Sequence, residues 1–416
     1  MNCIATIVSA NYLAYARTLE ASVRQHQPDA DFRVLIVDRP TEEVKAAVAR
    51  SGLRAVYAQD LGIPDFEHVA FKYELVELNT ALKPTFLKSL FAEGFSKVAY
   101  LDPDIRVFSS LAPVFDPLDN ANIVLTPHAM APAMDGLRPS DIDFLRNGTF
   151  NLGFVALSNT SESIKILNWW EERCLTYGFN DLGFGTFVDQ KWMDLVPCYF
   201  AGAYVLKHPG CNVAYWNLHE REVTGSRGNF QVDDYPLCFF HFSGVKAERP
   251  TVLSRHQTRH SIQPGTTLAE LVADYCEALL SNEHKAFAGI KYTFSNFDNG
   301  DPITVTARRA ACFTEGAASR PFAAGTPLHT LVKQKGMLKR SGDAEAGANT
   351  LSFDQDSRRV RTINGLVRVA ASVLGIERFS TLARYMGYLT RESNMARVLL
   401  DRPFELAHKR NNSRFF

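Results

Sequence analysis

Apolar residues in the first part of the chain alternate between short unbroken runs and helical spacing. Ile4–Val8 and Phe32–Val37 are β-branched or aliphatic runs of strand length. Between them, apolar residues from Leu13 to Val23 recur at the three- and four-residue intervals of one helical face. A strand, a helix and a strand in this order predict a βαβ unit, and therefore a parallel sheet with helices on its faces.

The same alternation continues to about residue 255. Further strands are predicted at Lys97–Leu101, Ile123–Thr126 and Phe154–Leu157, and helices over 80–92 and Asn159–Tyr177. Together these elements predict an α/β protein with a Rossmann-like, mostly parallel sheet flanked by helices.

The pattern changes beyond residue 255. Leu268–Leu280 predicts one clear helix, and residues 291–350 are rich in loop-forming residues. The last sixty residues are helical in pattern and basic. We therefore expect three parts, with a softer boundary near 340–356: a catalytic domain over 1–255, a helix- and loop-rich extension over 256–356, and a smaller basic helical region over 357–416.

Charge is balanced over the whole chain and uneven along it. Lys plus Arg equals Asp plus Glu at 45 each, so no global charge favours nucleic acid as a partner. Residues 357–416 contain twelve Lys or Arg against four acids, which gives +8 there and −8 elsewhere. Apolar residues such as Leu366, Val369 and Val373 recur between the arginines. This pattern predicts peripheral binding to an anionic membrane surface; alternatively, the arginines pair with the acidic remainder and solvate a helical cap.

Cysteine spacing and hydropathy bear on the compartment. The seven cysteines form no C-x-x-C pair and are odd in number, which favours reduced thiols over a disulfide framework. The N-terminus has no basic stretch before an unbroken apolar run, and no segment reaches the roughly 18–20 apolar residues of a membrane span. We expect a cytoplasmic protein, either free or peripheral at the inner face of the membrane.

The main chemical signal is the segment KVAYLDPDIRVF, residues 97–108. An apolar strand leads directly into Asp102 and Asp104, and ligands of parallel sheets bind at the carboxyl ends of strands. Two carboxylates there need compensation, which a hard divalent cation bridging a diphosphate supplies. The alternative is an ordinary Asp-Pro turn that closes a strand.

Two further segments carry polar residues next to predicted strands or turns. In TFNLGFVALS, Asn151 can bond a sugar hydroxyl and Gly153 permits close approach of a ligand, or both merely open a strand. In GFGTFVDQKWMDLVP, Asp189 and Gln190 can hold sugar hydroxyls near an anomeric carbon, or Asp189 caps a helix.

The segment CFFHFSGVKAERP, residues 238–250, ends an aromatic strand on His241. A neutral imidazole is a suitable third metal ligand, and Gly244 with Lys246 can cradle a phosphate. A core histidine at a strand end is the alternative.

As an ordered set, these motifs resemble the glycogenin-like (family 8) retaining glycosyltransferases of GT-A fold, which include bacterial lipooligosaccharide galactosyltransferases. The resemblance covers about residues 3–250 and includes the opening segment SANYLAYARTLEASVRQHQPDADFRVLIVD. It implies Mn²⁺ or Mg²⁺ as cofactor and a nucleotide diphosphate sugar as donor, with a UDP-sugar favoured. It implies these roles: Asp102, Asp104 and His241 as metal ligands, Asp102 also at the donor; Asn11 and Tyr12 at the nucleoside; Lys83, Gly244 and Lys246 at the diphosphate; Asn151 and Gly153 around the sugar; and Asp189 and Gln190, also around the sugar, as the catalytic residues.

The chain departs from the family pattern at several positions. Ser9 and Ala10 replace an acidic residue next to the base. Lys246 follows the motif glycine by two residues instead of three, and Lys191 follows Asp-Gln where an acid is usual. His128 occupies the place of an acidic sugar contact. These differences indicate a distant relative, with a different donor sugar as one consequence.

The sequence thus predicts a DXD-containing hexosyltransferase that transfers a sugar with retention to a glycan or lipid-linked hydroxyl acceptor, in surface polysaccharide or lipooligosaccharide synthesis. Tyr215 and Trp216 belong to a packed strand or to the acceptor wall. Three alternatives remain: an inverting enzyme with Asp189 as general base, a nucleotidyltransferase, and a catalytically silent scaffold that binds nucleotide sugars. Residues 5–15 lack the glycine-rich basic signature typical of nucleotidyltransferases.

Overall fold

The computed structural model describes residues 1–314, 317, 319–339 and 358–402. The chain divides into two compact units, Met1–Phe294 and Ser295–Phe416. The softer boundary expected near 340–356 and the basic positions 409, 410 and 414 lie outside the described residues.

The strands of the described chain all lie in the first unit. In chain order they are β1 Asn2–Val8, β2 Asp31–Ile36, β3 Ala55–Tyr57, β4 Lys97–Leu101, β5 Ile105–Val107, β6 Ile123–Pro127, β7 Phe150–Ser158, β8 Asn180–Asp181, β9 Thr186–Phe187, β10 Ala203–Val205, β11 Val223–Ser226, β12 Asn229–Val232, β13 Tyr235–Pro236 and β14 Phe239–His241.

The α-helices occur in both units. Those of the first unit are α1 Leu13–His26, α2 Glu42–Ser51, α3 Phe66–Lys72, α4 Leu75–Ala81, α5 Lys83–Ala92, α6 Ala112–Phe115, α7 Asp141–Asn147, α8 Ser161–Tyr177, α9 Val196–Tyr199, α10 Thr267–Ser281 and α11 His284–Ala288. Those of the second unit are α12 Val305–Ala311, α13 Pro327–Gln334, α14 Arg358–Leu374, α15 Ile376–Leu389 and α16 Glu392–Leu399.

A seven-stranded sheet in the order β10-β6-β7-β4-β1-β2-β3 forms the centre of the first unit. Its neighbouring strands are parallel except β7, which runs antiparallel to β4 and β6. The predicted class, an α/β fold with a mostly parallel sheet flanked by helices, is confirmed. Because β7 is reversed, its beginning lies at the same edge of the sheet as the end of β4, with Leu101 opposite Phe154.

The predicted strands and helices form because their apolar positions can be buried together. β4 has the bounds that the pattern predicts, and its last four residues are buried. α1 directs Leu13, Leu19 and Val23 into a core shared with β1 and β2. α8 begins after Thr160, whose side chain accepts from the Ser163 N–H and so caps the helix.

The first unit extends past residue 255, where the sequence pattern placed a boundary. α10 buries Leu271, Val272, Tyr275 and Leu279 in the second apolar cluster of this unit. The Tyr275 ring stacks on Phe242 with centroids 3.8 Å apart and planes 4° apart. The fading of the α/β alternation therefore marks the end of the sheet strands but not the end of the core.

The second unit consists of helices in its described part. α12 packs with α16, and α14 packs with α15. α12 and α13 fall within residues 291–350, where the sequence pattern predicted mainly loops. Among the described residues, no helix is both long enough and apolar enough to cross a membrane.

Candidate active site

The termini of three strands bring three potential metal ligands together. Asp102 directly follows β4, Asp104 directly precedes β5, and His241 is the last residue of β14. β14 pairs with β5 so that His241 lies opposite Ile105. His241 Nε2 is consequently 3.0 Å from Asp104 Oδ1 and 3.8 Å from Asp102 Oδ2. One potential ligand atom from each of the three residues lies within 4.8 Å of the others.

The chemistry of these side chains fits a divalent cation. The Tyr100 hydroxyl donates to Asp102 Oδ1 at 2.7 Å, which leaves Oδ2 on the side of His241. Burial lowers the pKa of His241, but Asp104 and Asp102 raise it by more, so the net pKa lies above its ordinary value. An imidazole nitrogen facing two carboxylates requires a positive charge between them, which a proton or a metal ion supplies. Carboxylate oxygens with one imidazole suit Mn²⁺ or Mg²⁺.

Gly153 makes room for the His241 ring. A Cβ atom at this position would lie 2.3 Å from Cε1 and 2.7 Å from Nδ1 of His241, and 2.9 Å from Asn151 Oδ1. The Gly153 backbone carbonyl accepts from the Asp102 N–H at 2.7 Å. The His241 ring also makes an edge-to-face contact with Trp216, with ring centroids 5.0 Å apart. The sequence predicted a close approach at Gly153, and the group that approaches in this structure is a side chain of the protein.

Lys83 and Asp189 form a buried ion pair. Lys83 Nζ lies 2.6 Å from Asp189 Oδ2, and neither side chain is more than 2% exposed. The ammonium also donates to the Leu152 carbonyl at 2.7 Å and lies 4.2 Å from the centre of the Tyr100 ring. Burial raises the pKa of Asp189 to about 6, against the opposing effect of Lys83. The family resemblance implied that Lys83 and Asp189 both contact the donor. In the structure they pair with each other instead.

A network of neutral polar groups surrounds Asn151. Asn151 Oδ1 accepts from Asn212 Nδ2 at 3.1 Å, and Asn151 Nδ2 lies 3.3 Å from His128 Nε2. His128 Nδ1 lies 3.3 Å from the Thr149 carbonyl, which fits a neutral ring with its proton on Nδ1. Burial lowers the pKa of His128 to about 4. The position at which the family has an acidic sugar contact is therefore uncharged in this chain.

A cavity of about 450 Å³ is lined by polar and aromatic residues, among them Trp216, whose ring contacts that of His241. Asn151, Gln190, Tyr215 and Trp216 belong to its wall. Gln190 is fixed through both ends of its amide, because Oε1 accepts from the Leu152 N–H at 3.0 Å and Nε2 donates to a backbone carbonyl at 2.9 Å. Such a mixture of rings and oriented amides is typical of sites that bind sugars or other small polar ligands.

Asn11 and Tyr12 lie at the carboxyl end of β1, in the short 3₁₀ turn Ala10–Tyr12. The Ser9 hydroxyl donates to Asn11 Oδ1. The Tyr12 ring is 40% exposed and stacks on Tyr15 with centroids 4.5 Å apart. An exposed, supported ring at a strand end offers a surface for a planar base, as the resemblance implies.

Asp38 is a buried carboxylate at this edge that belongs to none of the four sequence motifs. Its Oδ2 accepts from the Ala10 N–H at 2.7 Å, and its Oδ1 accepts from both the N–H and the hydroxyl of Thr293. Burial raises the pKa of Asp38. The signal was present, because FRVLIVD ends on an acid as KVAYLD does. Because both of its oxygens bond the protein, Asp38 holds the 3₁₀ turn in place.

Gly244 and Lys246 follow the histidine, but they differ in placement. Gly244 has a φ of 83°, and a Cβ atom there would lie 2.6 Å from Ser254 Oγ, so the turn requires glycine. Lys246 is exposed and does not line the cavity. The cavity wall on this side is formed by residues 255–258, which no sequence motif indicated.

A second group with metal-binding atoms close together is His208, Cys211 and Cys238. His208 Nδ1 already accepts from the Gly210 N–H at 3.1 Å. The Arg221 guanidinium donates to the Cys211 carbonyl at 2.8 Å and places a positive charge next to the group. We therefore assign no metal to it. All seven cysteines are free thiols in the structure.

Comparison with known proteins gives distant similarities. No known family profile matches the chain. It is 28% identical over 243 residues to the uncharacterized protein YfnD of Bacillus subtilis (strain 168), an alignment that covers 58% of this chain and 76% of YfnD.

Among solved structures, the chain is similar to the galactosyltransferase LgtC in complex with donor and acceptor sugar analogs. The TM-score is 0.40 at 18% identity, over 67% of this chain and 96% of LgtC. Mouse xyloside xylosyltransferase 1 in its apo form gives 0.37 at 14% identity, over 58% of this chain and 98% of that one. Similarities at this level assign no function, which has to be argued from the site.

We predict that Gly153→Ala weakens Mn²⁺ binding by roughly tenfold or more, because the added methyl group displaces the His241 ring. Gly289→Ala is the matched control, since its φ is ordinary and nothing lies within 4 Å of the added carbon. Calorimetric titration with Mn²⁺ measures both, after circular dichroism has shown that each variant is folded. An unchanged Mn²⁺ affinity in Gly153→Ala would mean that the ion binds elsewhere.

We also predict that Lys83→Met lowers the free energy of unfolding by about 3–5 kcal/mol, because it leaves a buried carboxylate unpaired. Adding Asp189→Asn to the same chain should restore much of that loss, since the remaining amide is neutral. Urea denaturation of both variants measures the effect. If Lys83→Met were as stable as the wild type and lost only donor affinity, the lysine would act on the diphosphate instead.

Proposed function

We propose that this protein is a metal-dependent glycosyltransferase of GT-A fold that transfers a hexose from a nucleotide diphosphate sugar to a hydroxyl acceptor. The observation that carries the proposal is the convergence of Asp102, Asp104 and His241 at the edge of the sheet, beside a cavity of sugar-binding character. A diphosphate needs such a cation, and the carboxyl ends of parallel strands are where ligands of this fold class bind.

The residues of the site divide into four groups by position. A Mn²⁺ or Mg²⁺ ion held by Asp102, Asp104 and His241 would supply Lewis-acid stabilisation of the leaving diphosphate. Asn11 and Tyr12 at the end of β1 receive the nucleoside, for which uridine is favoured. The donor sugar then lies against the amide-bearing wall, and the acceptor enters along the aromatic wall. The sugar-binding groups are Asn151 and Gln190, and the aromatic pair is Tyr215 and Trp216.

Neither Asp143 nor Asp189 is suited to act as a general base, which supports retention of configuration. An inverting enzyme needs a carboxylate base on the face opposite the leaving group. Asp189 does not line the cavity and is paired with Lys83. Asp143 is the carboxylate of the described cavity wall, and the hydrogen bond from Arg138 lowers its pKa, which makes it a weak base. With retention, the acceptor hydroxyl passes its proton to an oxygen of the departing diphosphate, and no protein base is required.

Incubation with a panel of nucleotide sugars and Mn²⁺ tests this proposal. We expect release of a nucleoside diphosphate from one donor, faster when a glycan acceptor is present, and its loss in excess EDTA. Asp104→Asn should lower the rate by about a hundredfold or more, because one metal ligand is lost. Asp60→Asn, at an exposed aspartate in a surface turn, serves as the matched control.

Three results would contradict the proposal. The first is the absence of nucleotide release from every donor of the panel, and the second is full activity in EDTA. The third is an equal rate in Asp104→Asn and the wild type. Release of pyrophosphate from a sugar 1-phosphate and a nucleoside triphosphate would identify a nucleotidyltransferase.

The helices α14 and α15 support a second proposal, concerning the acceptor's environment. Large apolar side chains on both helices are exposed, including Leu366 at 66%, Val369 at 62% and Val373 at 78%. Arg361 and Arg368 lie among them and form no ion pair within the described residues. Exposed apolar groups interleaved with unpaired arginines fit an anionic lipid surface. We propose that this surface brings the enzyme to a lipid-linked glycan acceptor of surface polysaccharide or lipooligosaccharide synthesis.

We predict that the protein sediments with vesicles that contain phosphatidylglycerol and not with pure phosphatidylcholine vesicles. Val369→Ser combined with Val373→Ser should weaken this binding about a hundredfold, since each valine contributes about 1.5 kcal/mol when fully buried. Val76→Ser, at another exposed valine (63%), is the control. If the intact protein fails to bind anionic vesicles at low salt, the arginines and apolar side chains have another role.

A further inference from the structure

The segment after β14 returns to the cavity and forms its basic wall. The chain turns at Gly244, runs along the surface, and is anchored again by the buried Leu253 and Ser254. The Ser254 hydroxyl accepts from the His256 N–H at 3.2 Å. Arg255 follows this anchor directly and lines the cavity together with His256. An exposed arginine of the cavity wall is thus held directly after a buried anchor.

Arg255 has no carboxylate partner among the described residues. Its Nε donates to His256 Nε2 at 3.2 Å, so His256 acts as an acceptor there. Burial lowers the pKa of His256, and the charge of Arg255 lowers it further, which keeps the ring neutral. By contrast, the other arginine of the cavity wall, Arg138, is 2.6 Å from Asp143. The cavity wall therefore presents a positive charge with unused N–H donors at Arg255.

Arg255 acts on a group at the nucleoside end of the site and lines the cavity at the sugar end. Burial raises the pKa of the Tyr12 hydroxyl, Asp104 raises it further, and Arg255 lowers it. Arg255 and Asp104 therefore both act electrostatically on the same hydroxyl at the nucleoside end. Arg255 also shares the cavity with Asn151 and Gln190 at the sugar end. A diphosphate joins a nucleoside to a sugar, and it must cross the interval between these two ends.

We infer that Arg255 binds the diphosphate of the donor and stabilises the leaving group, the role that the family resemblance gives to Lys246. The inference rests on the proposed function. A planar guanidinium donates two parallel hydrogen bonds to phosphate oxygens, which an ammonium cannot do. Lys246 lies on the exposed part of the segment and does not line the cavity. Lys246 is one residue closer to Gly244 than in the family pattern. In this chain Arg255 supplies the positive charge at the cavity instead.

Binding measurements with Mn²⁺ test the inference. From UDP, GDP, CDP, ADP and dTDP, the nucleoside diphosphate that binds the wild type most tightly is chosen. We expect Arg255→Gln to weaken its binding roughly 10- to 100-fold, as for loss of charge-assisted hydrogen bonds. Arg255→Lys should recover part of this loss, and Lys246→Gln should change the affinity by less than about threefold. Arg249→Gln is the matched control, because Arg249 is exposed on the same segment and does not line the cavity.

The corresponding nucleoside, which has no phosphate, separates a binding role from a structural one. Arg255→Gln should leave nucleoside affinity unchanged; an equal loss for nucleoside and diphosphate would overturn the inference in favour of a structural role. An unchanged diphosphate affinity in Arg255→Gln, or a large loss in Lys246→Gln alone, would overturn the inference and leave the proposed function intact. A wild type that binds none of the five diphosphates would overturn both.

Discussion

Two carboxylates and an imidazole that face one another at the end of a strand need a positive charge among them. His241 Nε2 lies at hydrogen-bonding distance from Asp104 (3.0 Å) and 3.8 Å from Asp102, and the histidine is almost fully buried. The rest of the site follows from this requirement. β14 pairs with β5 to bring the imidazole to the acids, and Gly153 lacks a side chain so that the ring fits. A divalent cation satisfies all three groups at once, and a diphosphate is the ligand that such a cation favours.

Charges elsewhere in the same region are neutralised within the protein. Lys83 and Asp189 are both buried and compensate each other, so neither contributes net charge to the cavity. His128 is neutral, and Asp143 is paired with Arg138. The cavity therefore combines uncharged groups suited to sugar hydroxyls with one unpaired guanidinium, which suits a donor whose charge is confined to its diphosphate. This division of charge is consistent with the proposed retention of configuration, which requires no protein base.

Part of this arrangement was predictable from the sequence because it depends on local order along the chain. Unbroken apolar runs predicted the central strands, and carboxylates placed directly after β4 predicted a ligand site at the sheet edge. The Lys83–Asp189 pair was not predictable, since each residue taken alone fits a donor-binding role. The local pattern also gives no signal that α10 belongs to the first unit, because tertiary packing adds this helix to the core. Arg255 lies outside every motif and reaches the cavity only through the turn at Gly244.

The central claim is that one metal ion joins this cluster to a diphosphate. Pulsed electron paramagnetic resonance of the protein with bound Mn²⁺ and nucleoside diphosphate tests it most directly, because couplings identify the nuclei next to the metal. The account predicts a ¹⁴N coupling from an imidazole together with ³¹P couplings, with the nitrogen coupling lost in His241→Gln. Phosphorus couplings without any nitrogen coupling in the wild type, or a nitrogen coupling that survives in His241→Gln, would contradict it.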